Sequence, residues 1–186
     1  PGDGCFGTIL AAVDPEPTGD PARARLDRLV LDLATSLAER DDAQVHVVHS
    51  WHLPEEQALR HGRYTSGRQD EVDTMLERER DRAEARLTAL LADYPQVPEV
   101  NRHLLKGEPG DVIADFARAK KADLIVMGTV GRTGLAGFIM GNTAETILGA
   151  VRCSVIAVKP EGFESPVTLN GGRDTGPGRN TGKRGD

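Results

Sequence analysis

The stretch ADLIVMGTVGRTGLAGFIMGNTAETILGAVRCSVIAV, residues 122–158, decides how this chain folds. It passes from a short apolar run through Gly128, Gly131, Gly134, Gly137 and Gly141 into a helical pattern, then leaves by a second apolar run. Apolar runs of this length that alternate with helices argue for a parallel sheet covered on both faces. Glycine at such a strand-to-helix turn lets the backbone approach a ligand closely and adopt positive φ without strain. The helix that starts near Asn142 adds unpaired N–H groups and the positive end of its dipole, which together favour phosphate.

The same alternation runs outward through the chain. TILAAV (8–13) reads as a buried strand, and Asp14-Pro15 opens a turn. Asp20-Pro21 reads as an N-cap with proline at the first helical position. Ala22, Leu26, Leu29, Val30, Leu33 and Leu37 then follow at helical spacing to about residue 40. QVHVVHSW (44–51) is a second strand, and residues 52–69 show no period and read as a loop over one face. A charged helix is expected from about Gln69 to Ala92, with Val72, Met75, Leu76, Ala83, Leu87 and Leu90 as its apolar stripe. VNRHLL (100–105) is the third strand, and Pro109 opens a helix that turns Val112, Ile113, Phe116 and Ala117 inward. ADLIVM (122–127) is the fourth strand, a helix spans about 143–151, and CSVIAV (153–158) is the fifth strand.

Five such strands predict an α/β fold, a doubly wound five-stranded parallel sheet of order 3-2-1-4-5. Ligands of such sheets bind at the carboxyl ends of the strands where the order reverses. That switch point lies between the first and fourth strands, which end at Asp14 and Gly128.

Composition sets the remaining bounds. The 186 residues, 38% apolar and 28% charged, are enough for one domain with a proper core. Residues 8–160 form that domain, with residues 1–7 and the Gly-rich tail 161–186 expected to be disordered. A net charge of −6 disfavours nucleic acid or an anionic membrane as partner. No apolar run is long enough to span a bilayer, and the first residues lack a secretory pattern. Cys5 and Cys153 lie far apart without CxxC spacing, so neither a disulfide framework nor a zinc site is supported, and the cytoplasm is the expected compartment. Cys153 reads as a small buried residue. The missing initiator methionine points to a processed chain or an excised piece of a longer one.

The glycine ladder contains neither GxxxxGK[ST] nor GxGxxG, so it is not a P-loop or the usual dinucleotide fingerprint. His46, His49 and His52 do not make a metal site, because His46 and His49 face opposite sides of a strand. No nucleophile elbow, Ser/His/Asp order or carboxylate cluster is present, so no catalytic residue is assigned and the protein is not read as an enzyme; slow ATP hydrolysis is left open.

Gly128, two residues, Gly131, nine residues and Gly141 follow the spacing G-x2-G-x9-G, between the strand ADLIVMG and the helix AETILGAV. With the opening TILAAVD and the closing CSVIAVKP, this resembles the universal stress protein family over about residues 8–160. The wording GTVGRTG, GNTAE and Arg152-Cys153 is most like the second half of the E-type, tandem-domain members. The resemblance implies a Rossmann-like three-layer sandwich of the adenine nucleotide alpha hydrolase-like kind, binding ATP or AMP without a predicted Mg requirement. It implies Asp14 at the adenine and ribose end, Ser50 at the end of the second strand, and Met127 and Gly128 at the ribose or first phosphate. Gly131 and Gly141 would let the loop wrap the phosphates, with Asn142 and Thr143 donating from the helix start. Arg132 is added on charge alone. Gly134 and Gly137, inside the spacer, are assigned to packing.

One position departs from the family: after the last glycine a Ser or Thr is expected, and Asn142 stands there. Asn142-x-x-Glu145 also resembles a capping box, which would turn the side chain to its own helix. A regulatory or protective stress-response module that binds an adenine nucleotide is therefore one reading. An interaction domain with a degenerate pocket is another. A third is a binder of a nucleotide-sugar or lipid precursor, with 52–69 as lid and Arg60, Arg63 and Tyr64 as contacts. A homodimer through strand 153–158, or pairing with a second tandem domain, follows from that apolar sheet edge and from the resemblance.

Overall fold

The computed structural model of the chain describes residues 5–15, 21–54, 56–61, 69–129 and 141–159. Its strands are β1 (Thr8–Ala12), β2 (Gln44–Trp51), β3 (Arg102–Lys106), β4 (Leu124–Gly128) and β5 (Ser154–Val158). They pair in parallel in the order β3-β2-β1-β4-β5. The helices are α1 (Pro21–Asp41), α2 (Glu56–His61), α3 (Gln69–Leu91), α4 (Pro109–Lys120) and α5 (Asn142–Ala150).

Alternate side chains of each strand feed two cores. Ile9, Ala11, Val47, Leu124 and Val126 pack with Leu26, Val30, Leu31 and Ala34 of α1 and Leu87, Leu90 and Leu91 of α3. Leu10, Val48, Ile125 and Met127 pack on the other side with Ile113 and Ala117 of α4 and Ala144 and Ile147 of α5. The period of two along a strand thus sorts neighbours into separate layers, which gives the three-layer sandwich. Gly110 lets α4 and α5 meet closely, since a Cβ there would stand 2.7 Å from Thr146 Cβ.

Several local expectations are corrected. Residues 52–69 are not all loop, because α2 occupies Glu56–His61; six residues are too few to display a helical period. Met75 lies at the flank of the α3 stripe and is 45% exposed, and Leu29 of α1 is also exposed. The third strand starts at Arg102, because extended Pro98 leads into a tight turn over Glu99–Asn101 that leaves Val100 in solvent. Cys153 is half-buried, with burial pushing its thiol pKa up. Hydrogen bonding also starts ahead of β1: Asp41 Oδ2 accepts the N–H groups of Cys5 and Phe6, and Asp123 Oδ2 those of Gly7 and Thr8.

Candidate functional site

The sheet order reverses between β1 and β4, as expected, and the residues that end these strands come together there. Ala12 is in register with both Val48 of β2 and Met127 of β4, so counting on two residues sets Asp14 level with Ser50 and Thr129. The Val13 N–H donates to Val48 C=O (3.0 Å), and the Asp14 N–H donates to Asp27 Oδ1 of α1 (2.9 Å). His49 Nδ1 stands 3.2 Å from Val13 O and 4.0 Å from Asp14 Oδ1. The Asp14 side chain is 47% exposed while that of His49 is 1% exposed.

The glycine motif begins and ends at this level. Thr129 is buried, and both its N–H (2.9 Å) and its hydroxyl (3.2 Å) donate to Val158 C=O of β5. The Gly141 N–H in turn donates to Thr129 C=O at 2.9 Å. The two stems of segment 130–140 are thereby joined directly beside the end of β4. Gly131, Arg132, Gly134 and Gly137 lie in that segment, outside the described residues.

Helix α5 starts where the motif closes. Gly141 is its N-cap, in extended conformation (φ −82°, ψ 155°), and no side chain caps it. Asn142 is therefore the first helical residue, and the capping-box reading fails. A box needs Asn142 one position earlier, outside the helix. The Asn142 side chain is exposed and Thr143 half-exposed at the positive end of the helix dipole. The Asn142 carbonyl accepts the Thr146 hydroxyl at 2.9 Å, within the helix itself.

Met127 and Ser50 are buried, and Met127 packs in the core under α5. Only the main chain of Met127 is left to meet a ligand. Gly128 touches α1: a Cβ there would stand 2.8 Å from Leu26 Cδ2, so a larger residue at this position has to push the Leu26 side chain aside.

The flank beyond β2 is an ion-pair cluster. Glu56 of α2 holds Lys106 (2.8 Å) and Arg60 (3.0 Å), and these two cations keep its carboxyl below the usual range, Lys106 contributing most. Arg60 also reaches Asp73 (2.7 Å) and Gln69 (3.1 Å). Three partners already engage the Arg60 guanidinium, so it is poorly placed to take a phosphate; Arg63 and Tyr64 lie outside the described residues.

Sequence reasoning missed Asp27, His49 and Thr129. Asp27 carried a signal, since it precedes Val30 and Leu31 by three and four residues and so shares their inward face. It also missed that His46 meets His103, 3.0 Å away on β3, beside Phe116. Burial, then the neighbouring His46 and Lys120, push His103 down to about 4. Among the described residues no three His, Cys, Asp or Glu side chains gather to hold a metal, and no helix is long and apolar enough to cross a membrane. A GxGxxG spacing does occur in the chain, at Gly2, Gly4 and Gly7, but it leads into strand β1 and does not open a helix. A shallow cleft of about 490 Å³ opens at the opposite, amino end, lined by Cys5, Phe6, Asp123, Arg152 and Cys153. It lies at the other end of the sheet from the switch point.

The model of the universal stress protein family matches residues 6–159, which include both the motif and all five strands. The chain belongs to the universal stress protein family. Universal stress protein E of Salmonella typhi is 42% identical over 74 residues, which are 40% of this chain and 24% of that protein. The aligned part thus spans about a quarter of that curated relative. A solved protein of unknown function from Pseudomonas aeruginosa PAO1 superposes with a TM-score of 0.63 at 26% identity, covering 83% of this chain and 47% of the other. The universal stress protein UspA of Lactobacillus plantarum has the same fold (TM-score 0.60, 19% identity, 82% and 97% covered). This universal stress domain is therefore of the Rossmann-like α/β type.

Proposed function

We propose that this universal stress domain binds an adenine nucleotide, ATP or AMP, at the carboxyl ends of β1 and β4, and acts as a regulatory or protective stress-response module. The observation that carries the reading is the Gly141 N–H to Thr129 C=O bond. It brings the start of α5, with its unpaired amides, to the strand ends where Asp14 is half-exposed. In this reading Asp14 and Ser50 serve the nucleoside end, and the main chain at Met127 and Gly128 meets the ribose or first phosphate. The loop glycine Gly131, Arg132, Gly141, Asn142 and Thr143 serve the phosphates. The domain works without a catalytic residue, in the cytoplasm, and pairs through the β5 edge with a second copy or a tandem domain. For nucleotide to act as a signal, it must bind one association state better than another.

Asn142, exposed where the family carries a hydroxyl, favours one rival, an interaction domain with a degenerate pocket. One experiment separates them: purified protein is denatured and the released small molecules are identified by mass spectrometry. ATP, ADP or AMP recovered near one per chain supports the nucleotide reading. Empty protein that also shows no thermal shift with millimolar ATP or AMP overturns it.

A further inference from the structure

Two successive residues of α1 hold the ends of the two strands that meet at the switch point. Leu26 packs on Gly128, where a Cβ would come within 2.8 Å of its Cδ2, and Asp27 Oδ1 accepts the Asp14 N–H at 2.9 Å. One turn of one helix therefore touches the ends of both β1 and β4 at the switch point.

Asp27 is 7% exposed and shares the inward face of α1 with Val30 and Leu31. A carboxylate in that position costs free energy that an apolar side chain would not, unless its hydrogen bonds are needed. From the opposite side, the buried imidazole of His49 approaches the same peptide group. Its Nδ1 lies 3.2 Å from Val13 O, which requires the proton on Nδ1. The Val13–Asp14 peptide is thus held at both of its polar atoms, the N–H by the helix and the C=O by β2. With that plane fixed, the Asp14 Cα is fixed in place, and only rotation about its N–Cα bond is left to set where Cβ points.

We infer that Asp27 and His49 are positioning residues for Asp14, holding the Val13–Asp14 peptide so that the Asp14 carboxylate is presented to the nucleoside end of an adenine nucleotide. This rests on the nucleotide reading given above.

Calorimetric titration with ATP tests it on the whole chain, in wild type, Asp14→Ala, Asp27→Leu, Asp27→Asn and the double variant Asp14→Ala/Asp27→Leu. Asp14→Ala and Asp27→Leu should each weaken binding about tenfold, the scale of one lost hydrogen bond. Asp27→Asn keeps an Oδ1 acceptor and should stay within about twofold of wild type. The double variant should bind no more weakly than Asp14→Ala alone, because a residue acting through Asp14 has nothing left to position. Additive losses, wild-type affinity in Asp27→Leu, or equal weakening by Asp27→Asn overturns the inference. Should Asp27→Leu fail to fold, His49→Phe removes the other grip and is read by the same criteria. Wild-type protein that binds no ATP overturns the nucleotide reading itself, a result distinct from the failure of Asp27 alone; Asp14→Ala with unchanged affinity takes Asp14 out of the site and overturns the inference.

Discussion

At the amino end of the sheet, Asp123 Oδ2 accepts the N–H groups of Gly7 and Thr8, each at 2.9 Å, and Asp41 Oδ2 those of Cys5 and Phe6, each at 3.1 Å. At the carboxyl end the arrangement is inverted. Asp27 takes the N–H of Asp14 at 2.9 Å, and the Asp14 carboxylate itself stands half-exposed, 4.0 Å from His49 Nδ1. The same side-chain type closes backbone in one place and presents another carboxylate in the other. Satisfied backbone donors seal an end of a sheet, whereas a carboxylate held by its main chain and left at the surface makes a place for a ligand. The amino end has a cleft as well, but its carboxylates already serve the chain that forms it.

The comparison can be broken most strongly at Gly128. A valine there drives its side chain into Leu26, and overpacking of this kind costs about 2–3 kcal/mol, measured by urea unfolding. Combined with Leu26→Ala, the losses should be less than additive by about 1 kcal/mol, since the smaller side chain makes room. Additive losses would show that Leu26 is not what demands the glycine. Recovered stability without recovered ATP binding would show that the ligand needs the glycine as well.

At the sealed end, Asp123→Ala leaves two backbone N–H groups without their acceptor. The site is exposed and water can replace part of the loss, so about 1–2 kcal/mol of stability should go. ATP affinity should stay at the wild-type value, because the strand ends bearing Asp14 and Gly128 are at the other side of the sheet. A drop in affinity at constant fold would mean that the two ends are coupled, and would undo the contrast.

What the sequence made legible follows the same division. Asp14, Gly128 and Gly141 could be read because strand ends, switch point and glycine spacing are all features of chain order. His49 and Thr129 could not, because each acts through a group brought near by folding: Val13 O lies 36 residues from His49 and Val158 O lies 29 from Thr129. Asp27, 13 residues from Asp14, was within reach of an inward-face argument, yet a carboxylate on an apolar stripe reads as an irregularity until its acceptor role is seen. His46 and His103 escaped for a related reason. The strand period set His46 opposite His49 correctly, but only the pairing of β2 with β3 brings in the second imidazole. Helix α2 failed on length, and Gly110 on a contact with Thr146 that no local pattern announces.

The smallest effect sharpens the comparison at the position that departs from the family. Asn142 is the first residue of α5, its side chain is exposed, and Gly141 caps the helix without side-chain help. Replacing it by serine therefore removes no cap, and stability should change by less than about 0.5 kcal/mol. Serine puts a hydroxyl close to the backbone, where it can act together with the unpaired amides of the first turn on a phosphate. Asparagine carries its amide farther out and must lose more side-chain freedom to do the same. Asn142→Ser should consequently raise ATP affinity a few fold by calorimetry, with AMP affected less because it carries fewer phosphates to meet the helix. Equal gains for both nucleotides would place Asn142 nearer the nucleoside than the phosphates. Unchanged affinity for both would make the departure from the family neutral and return the weight of recognition to Asp14 and the peptide that holds it.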